Sequence, residues 1–569
     1  MEIKSLTEEF NIKNRDLGRK VLEDFEEITK NPKEESFNLL FKILDDNKDT
    51  EYGKKYHFED IHTVEDYQKM VPVINYDDVS EYIERMKLGE KNILTVYPFR
   101  HMNETSGTTG KPKSIPLTDK QSEVFMKYNN QYTFGIIDKY LDPSWVKGRV
   151  FSPAEGKHIT LDSGITVGCA ASITADVIKG DFEPFSSQIK ALYTSPAEAM
   201  VPGPEIDTKY IHLRFALMDK DIVGISAPLY TNIIILMIYI YNNYEIFIND
   251  IENGTIDPSI TLPDDIRESL LKKIEPMPER AEELREIFKN GPDIQFMPLI
   301  WPKLQYISGV GTADFSIYSE MLKEKFHGGK IHNIYSGIVA SEGLWSVPAG
   351  VDNVNSILVP NSAFMEFLDV EFGDDFSKCV TIDQLEEGKT YEIIATNFSG
   401  LYRYRVSDAV KVKGFYNKTP IVEFMFRVKK TINMAGEKTT EDMLKRAISD
   451  TLDELDLFFK DYAVYPDFSQ VPGQYIVMIE TIDEKRFSIS RETLSKVFLE
   501  KLCNINPQFK WRYEIGRIQA PDVYFEKIGA QNLFKEKMLA EEKVHSQFKP
   551  VHLIRTEEQK EFFLNLREF

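Results

Sequence analysis

Thr105-Ser106-Gly107-Thr108-Thr109-Gly110-Lys111-Pro112-Lys113 gathers small hydroxyl residues, two glycines and two lysines into nine consecutive positions. A loop of this kind can turn successive backbone N–H groups inward around a phosphate, and a lysine adds a full positive charge. It is not a Walker A loop, which places four residues between its first glycine and Gly-Lys-Ser/Thr. Here Thr108 and Thr109 alone separate Gly107 from Gly110. A plain surface turn of glycine and threonine would rarely reproduce all nine positions. The expected ligand is ATP.

At 569 residues the chain outgrows a single hydrophobic core, and its length suits roughly two to four domains. A hydrophobic content of 42% and a charged content of 28% fit a globular enzyme. The net charge of −22 argues against nucleic acid or an anionic membrane as partner, because both demand a basic footprint. ATP is not excluded, since loop amides and Mg²⁺ govern that contact. Cys169, Cys379 and Cys503 lie far apart with no Cys-x-x-Cys pair, so neither a zinc site nor a disulfide framework is expected. Residues 1–16 carry no apolar run of the signal-peptide kind. A cytoplasmic protein, monomeric by expectation, is the reading.

The uncharged run Ile222–Tyr244 is long enough to span a bilayer. It also contains Pro228, Asn232, Asn242 and Asn243, and no Lys/Arg cluster flanks it. A buried helix or strand in a large domain is the expectation.

Residues 1–100 have apolar residues at helical spacing, as in Phe37–Leu44, and Val79–Met86 reads as an amphipathic helix. Between 145 and 310 short β-rich runs alternate with helical ones, which predicts parallel strands covered by helices. Tyr391–Thr396 and Val410–Phe415 read as strands, and a helix begins near Thr440. The fold class expected is α/β (α+β): a large N-terminal domain, 1–428, of sheets packed with helices, and a small mobile α+β domain, 429–569, with two helices. A short hinge near 428 suits closure over a substrate.

Three further places carry chemistry. In Gly337-Ile338-Val339-Ala340-Ser341-Glu342-Gly343, after a strand ending at Tyr335, Glu342 is placed to hold Mg²⁺ bridging ATP phosphates. In Leu401-Tyr402-Arg403-Tyr404-Arg405-Val406-Ser407-Asp408, Asp408 can accept hydrogen bonds from both ribose hydroxyls; a strand of alternating aromatics and arginines is the other reading of that run. In Gly529-Ala530-Gln531-Asn532-Leu533-Phe534-Lys535, Lys535 can reach the α-phosphate as pyrophosphate departs.

With these residues in view the chain resembles the GH3 acyl-acid-amido synthetases, a branch of the acyl-adenylate-forming superfamily. Gly400-Leu401-Tyr402-Arg403-Tyr404-Arg405-Val406 followed by Asp408 is similar to the family's G-L-Y-R-Y-R-V-G-D. Thr50–Gly53, Val71–Val73, Tyr76–Ile83, Phe426–Thr439 and Gly529–Lys535 resemble its other landmarks. The resemblance implies an adenylate-forming enzyme fold using ATP and Mg²⁺. Thr105, Ser106, Gly107, Thr108, Thr109 and Lys113 would contact phosphates, with Ser341 beside Glu342 at the Mg²⁺ position. Asp408 would hold the ribose, Arg427 would be the inter-domain arginine, and Lys535 the adenylation lysine. A carboxylic acid would be activated as acyl-AMP and passed to an amine, expected to be an amino acid. Transfer to coenzyme A or a carrier-protein thiol stays open, as does a non-catalytic nucleotide-binding protein of the same fold. Two departures stand out. Plant members carry an adenine-stacking tyrosine four residues before the glutamate, where this chain has Ile338 with Tyr335 nearby; and Ser407 replaces the glycine before the ribose aspartate. The Gly-Ile-Val-Ala-Ser-Glu-Gly form looks more like microbial members.

Overall fold

The computed structural model describes residues 3–105, 113–156, 158–169, 191–200, 205–289, 295–312, 315–427, 431–481, 483–540 and 551–568. The chain divides into two compact units, one of Met1–Thr105 with Lys113–Val428, the other containing Lys429–Phe569.

The first unit opens with helices whose apolar faces set its core. Pro32–Asn47 starts on Pro32, where a missing N–H costs nothing, with Glu34 and Glu35 in the first turn. Its Leu39, Leu40, Ile43 and Leu44 recur at helical spacing and are buried. Val64–Met70 begins with a capping box of Thr63 and Asp66. These helices pack on a seven-stranded antiparallel sheet in the order Ser346–Pro348, Ser356–Leu358, Thr419–Arg427, Tyr404–Tyr416, Thr390–Thr396, Phe364–Asp369, Val380–Thr381. Leu40, Ile43, Tyr67, Ile83, Ile393, Tyr402 and Val410 belong to the shared core.

A four-stranded parallel sheet runs Arg149–Phe151, Ile222–Leu229, Tyr306–Val310, His332–Tyr335. The uncharged run therefore splits: Ile222–Leu229 is an inner strand of this sheet, and Tyr230–Asn253 is the helix that follows it. Pro228 sits where the register shifts between Ser226 and Leu229, an irregularity that accommodates a residue without an N–H. Among the described residues no helix is long and apolar enough to cross a membrane. Another sheet orders Lys113–Thr118, Phe99–Thr105, Thr166–Gly168 and His158–Thr160.

The second unit has a sheet of Asp461–Asp467, Gln474–Glu480, Asp522–Glu526 and Arg567–Glu568, over which Leu444, Ile448, Phe498 and Leu502 form a core with Val477 and Val523. Among the described residues its α-helices are Glu441–Glu454, Arg491–Ile505, Pro507–Glu514, Ala530–Ala540 and Glu557–Leu564. The sequence reading anticipated two. The last three are short and rich in charged or polar residues, so their apolar periodicity is brief; tertiary contacts and caps such as Asn506 and Thr556 hold them.

Candidate active site

Thr105 and Lys113 face each other across an antiparallel strand pair, so the two ends of the intervening loop are fixed together. Ser106, Gly107, Thr108 and Thr109 lie outside the described residues. Lys113 Nζ lies 3.5 Å from the Tyr404 hydroxyl and 5.6 Å from the centre of the Tyr76 ring. The Tyr76 hydroxyl accepts from the Ser114 N–H at 3.0 Å. Tyr76 and Tyr404 are themselves brought together by the backbone, since Ile74 exchanges hydrogen bonds of 3.0 and 2.9 Å with Arg403 and Arg405.

Ser341 and Glu342 form the two-residue turn between Val339–Ala340 and Gly343–Leu344, with Ala340 opposite Gly343. Two asparagines tie this turn down. Asn103, two residues before Thr105, donates to the Ser341 carbonyl at 3.3 Å. Asn397 donates to the Glu342 carbonyl at 2.6 Å and accepts the Ser399 N–H at 3.0 Å. The Asn397 turn closes on Gly400, whose φ of +82° and 2.8 Å approach of a built Cβ to Leu94 leave room for glycine alone. Glu342 itself is 9% exposed. Within one unit, then, the strand Phe99–Thr105 pairs with the strand that begins at Lys113 and through Asn103 also holds the turn that carries Glu342.

Asp408 is 2% exposed. Glu392 pairs with Ala409 and Ile394 with Arg405, so Val406, Ser407 and Asp408 together face the single residue Ile393. This bulge breaks strand alternation and re-aims the residues it contains. Ser407 sits at its centre with φ +66°, a conformation glycine adopts freely. The structure thus absorbs the serine without losing the bulge. Asp408 lies opposite Arg427 in the register with Thr419–Arg427; of Thr105, Arg427 and Lys535 the backbone alone is described.

The arginines and tyrosines of the same run hold the scaffold. Arg403 is bound to Glu366 and to the carbonyls of Gln68 and Val71, Arg405 to Glu392. Tyr402 donates to the Leu94 carbonyl at 2.8 Å and stacks on Tyr52 with ring centres 5.0 Å apart. The strand reading of residues 401–408 therefore holds for these side chains.

Tyr335 ends a parallel strand, the edge at which open α/β sheets commonly receive ligands. It is 8% exposed and its ring centre lies 5.7 Å from that of Tyr230. Ile338 donates its N–H to the Ser346 hydroxyl at 2.7 Å and packs against the core. Ile222, Ile225, Tyr230 and Trp345 are buried core residues. In the second unit Lys535 lies on Ala530–Ala540. Glu437, in Gly436-Glu437-Lys438-Thr439, is fully buried and accepts from the N–H groups of Met434 and Ala435, each at 2.7 Å, and from the Tyr475 hydroxyl at 2.6 Å.

The sequence placed Tyr76 in the landmark Tyr76–Ile83 without a role and gave no role to Asn103, Asn397 or Glu104. Asn397 had a local signal, an asparagine two residues before Ser399-Gly400; the others are joined by long-range pairing alone. Burial pushes the Glu104 carboxyl above its usual range, with Lys87 opposing.

The same arrangement of sheets and helices occurs in solved ligases and synthetases. A solved 2-hydroxyisobutyryl-CoA ligase in complex with 2-HIB-AMP and CoA matches with a TM-score of 0.51 at 10% identity, over 91% of this chain and 88% of that one. A solved GH3.15 acyl acid amido synthetase matches with a TM-score of 0.63 at 24% identity, over 96% of each chain. This is the adenylate-forming fold. Profiles of the GH3 family N-terminal, central and C-terminal domains match residues 21–331, 356–427 and 442–558 in that order; the chain belongs to the GH3 family. A probable indole-3-acetic acid-amido synthetase, GH3.11 of Oryza sativa subsp. japonica, is 29% identical over 504 residues, 84% of either chain. The 4-substituted benzoates-glutamate ligase GH3.12 of Arabidopsis thaliana is 26% identical over 525 residues, 87% of this chain and 89% of the relative.

Proposed function

We propose that this protein is an ATP-dependent acyl-acid-amido synthetase. A carboxylic acid attacks the α-phosphate of ATP, giving acyl-AMP and pyrophosphate; an amine, an amino acid on this reading, then attacks the acyl carbon and releases AMP. The observation that carries the reading is the tethering of the Ser341-Glu342 turn to Asn103 and Asn397, which sets a buried carboxylate on the strand system that delivers Lys113.

Lys113 and the N–H groups of residues 105–109 bind phosphate oxygens, and Asp408 binds the ribose within its bulge. Arg427 and Lys535 act with the second domain, 429–569, Lys535 on the charge that develops at the α-phosphate. No group of three or more His, Cys, Asp or Glu among the described residues forms a metal cage by itself. That suits Mg²⁺, which takes one or two carboxylates together with substrate phosphates. Glu342 would hold it, and it would neutralise phosphate charge. The substrates are small molecules; the protein works as a monomer in the cytoplasm, where its dispersed cysteines stay reduced.

The test is ATP–pyrophosphate exchange with a panel of acids such as benzoate, indole-3-acetate and hexanoate, followed by mass spectrometry with amino acids or coenzyme A added. Acid-dependent exchange and an amide product are expected. A thioester would move the acceptor to thiols, and binding of ATP without exchange for any acid would favour a non-catalytic protein. The attacking amine must be neutral, so transfer should accelerate above neutral pH; rapid-quench rates flat from about pH 6 to 9 would count against an amine acceptor.

A further inference from the structure

Glu480 ends the inner strand Gln474–Glu480 of the second unit and is 1% exposed. Its Oε1 accepts the Gly529 N–H at 2.5 Å and also pairs with Lys460 Nζ. The Gly529 carbonyl in turn accepts the Leu533 N–H at 2.9 Å, so Gly529 is the residue from which the helix Ala530–Ala540 starts. A carboxylate on the first turn of a helix satisfies an otherwise unpartnered N–H and opposes the positive end of the helix dipole. Here the capping group comes from a neighbouring strand and not from the adjoining chain.

Other contacts fix the face of this helix. The Gln531 side chain donates to the carbonyls of Tyr462 and Val551 at 3.2 and 3.0 Å and accepts the Val551 N–H at 2.9 Å. Ala530 and Phe534 are buried in a core with Met478 and Phe563. Gln531 and Phe534 hold the helix against the sheet, while Glu480 fixes where along its axis it begins. Glu526 ends the adjacent parallel strand, where the pairing of Ile479 with Phe525 places it beside Glu480. It is fully buried, and among the described residues neither of its carboxyl oxygens has a hydrogen-bond partner, so the anchoring of Gly529 falls to Glu480. Lys535 follows Gly529 by six residues, about 9 Å along the helix.

We infer that Glu480 is a positioning residue for adenylation, holding the Gly529 turn so that the helix bearing Lys535 starts in one place. This rests on the role given to Lys535 above. A misplacement of about 1 Å at a reacting centre can cost on the order of a hundredfold in rate.

The experiment uses the full chain, with exchange measured for the acid that is most active in the panel above and transfer measured in single turnover from presynthesised acyl-AMP. Glu480→Ala should lower exchange about 10- to 100-fold while leaving transfer within about twofold. Glu480→Gln keeps an acceptor for the Gly529 N–H and should recover most of the loss. Gly529→Ala tests the same turn without touching a buried charge. A methyl there meets nothing within 4 Å, but φ is +85°, and a smaller loss of exchange is expected. In a Lys535→Ala background Glu480→Ala should remove nothing further. The inference is overturned if the two substitutions multiply, if Glu480→Ala slows both half-reactions alike, or if exchange survives Glu480→Ala but not Lys535→Ala. Exchange that survives Lys535→Ala would instead remove the lysine's role, and this inference with it. Should Glu480→Ala fail to fold, Glu480→Gln and Gly529→Ala decide: unchanged exchange in Gly529→Ala overturns the idea.

Discussion

Arg403 grips Glu366 through two hydrogen bonds of 2.9 Å each, with both residues almost wholly buried. Arg403 belongs to the run 401–408, read either as a ribose site or as a strand of aromatics and arginines, and its partners are a strand of the same sheet and the carbonyls of Gln68 and Val71. Breaking it leaves a buried charge uncompensated, which costs about 3–5 kcal/mol. Glu366→Ala should therefore lower the urea midpoint of the first unit severely, while the protein that remains folded keeps its ATP affinity. A large change in ATP affinity with an unchanged midpoint would show that the pair serves the ligand and not the scaffold.

Asp408 behaves differently, because its bulge separates it from the ladder that Arg403 and Arg405 hold. Asp408→Ala should raise the KM for ATP about 10- to 150-fold, the equivalent of a charged hydrogen bond of roughly 1.5–3 kcal/mol. Ser407→Gly keeps the left-handed φ and should leave that KM unchanged. If Ser407→Gly and Asp408→Ala raise KM equally, the bulge and not the carboxylate is what matters.

How far the sequence could be read follows from the range of the interactions. Residues 401–408 stood out because aromatics, arginines and an aspartate are gathered into eight consecutive positions, although the carboxylates that pair with the arginines, Glu366 and Glu392, lie elsewhere in the chain. Helical spacing at Phe37–Leu44 found the helix Pro32–Asn47, while the uncharged run Ile222–Tyr244, read as a buried helix or strand, holds a strand followed by a helix. The joining of Tyr76 to Lys113, and of Asn103 and Asn397 to the Ser341-Glu342 turn, depends on pairings across tens to hundreds of residues. No local pattern encodes those. The late helices of the second unit escaped for a related reason: Ala530–Ala540 owes its start to Glu480, on another strand.

His327 gives a pH signature on the acid side. Its ring is fully buried with neither nitrogen hydrogen-bonded among the described residues, and burial, aided by Lys323 and opposed by Asp352, pushes its pKa down to about 4. The unfolded chain takes up this proton near pH 6.5 and the folded chain near 4, so the stability is fully present above about 6.5 and declines as pH falls between the two. The loss reaches about 3 kcal/mol by pH 4. Urea midpoints of His327→Gln should fall less steeply than those of the parent over that window; parallel slopes would mean that His327 does not titrate there.

Glu526 has the opposite sign. Burial first, then the Glu480 and Asp461 carboxylates, hold its pKa well above the usual carboxylate range, with Lys460 opposing. The folded chain keeps this proton while the unfolded chain releases it near pH 4.3, so Glu526 weakens the fold increasingly as pH rises through that value. Glu526→Gln preserves shape and removes the ionisation. It should raise the thermal midpoint of the second unit, by more at pH 8 than at pH 5. The comparison isolates protonation from packing, because any packing effect of the amide is the same at both pH values. An equal gain at both would mean that Glu526 is already charged in the folded protein, and that Lys460 divides its attention between two carboxylates.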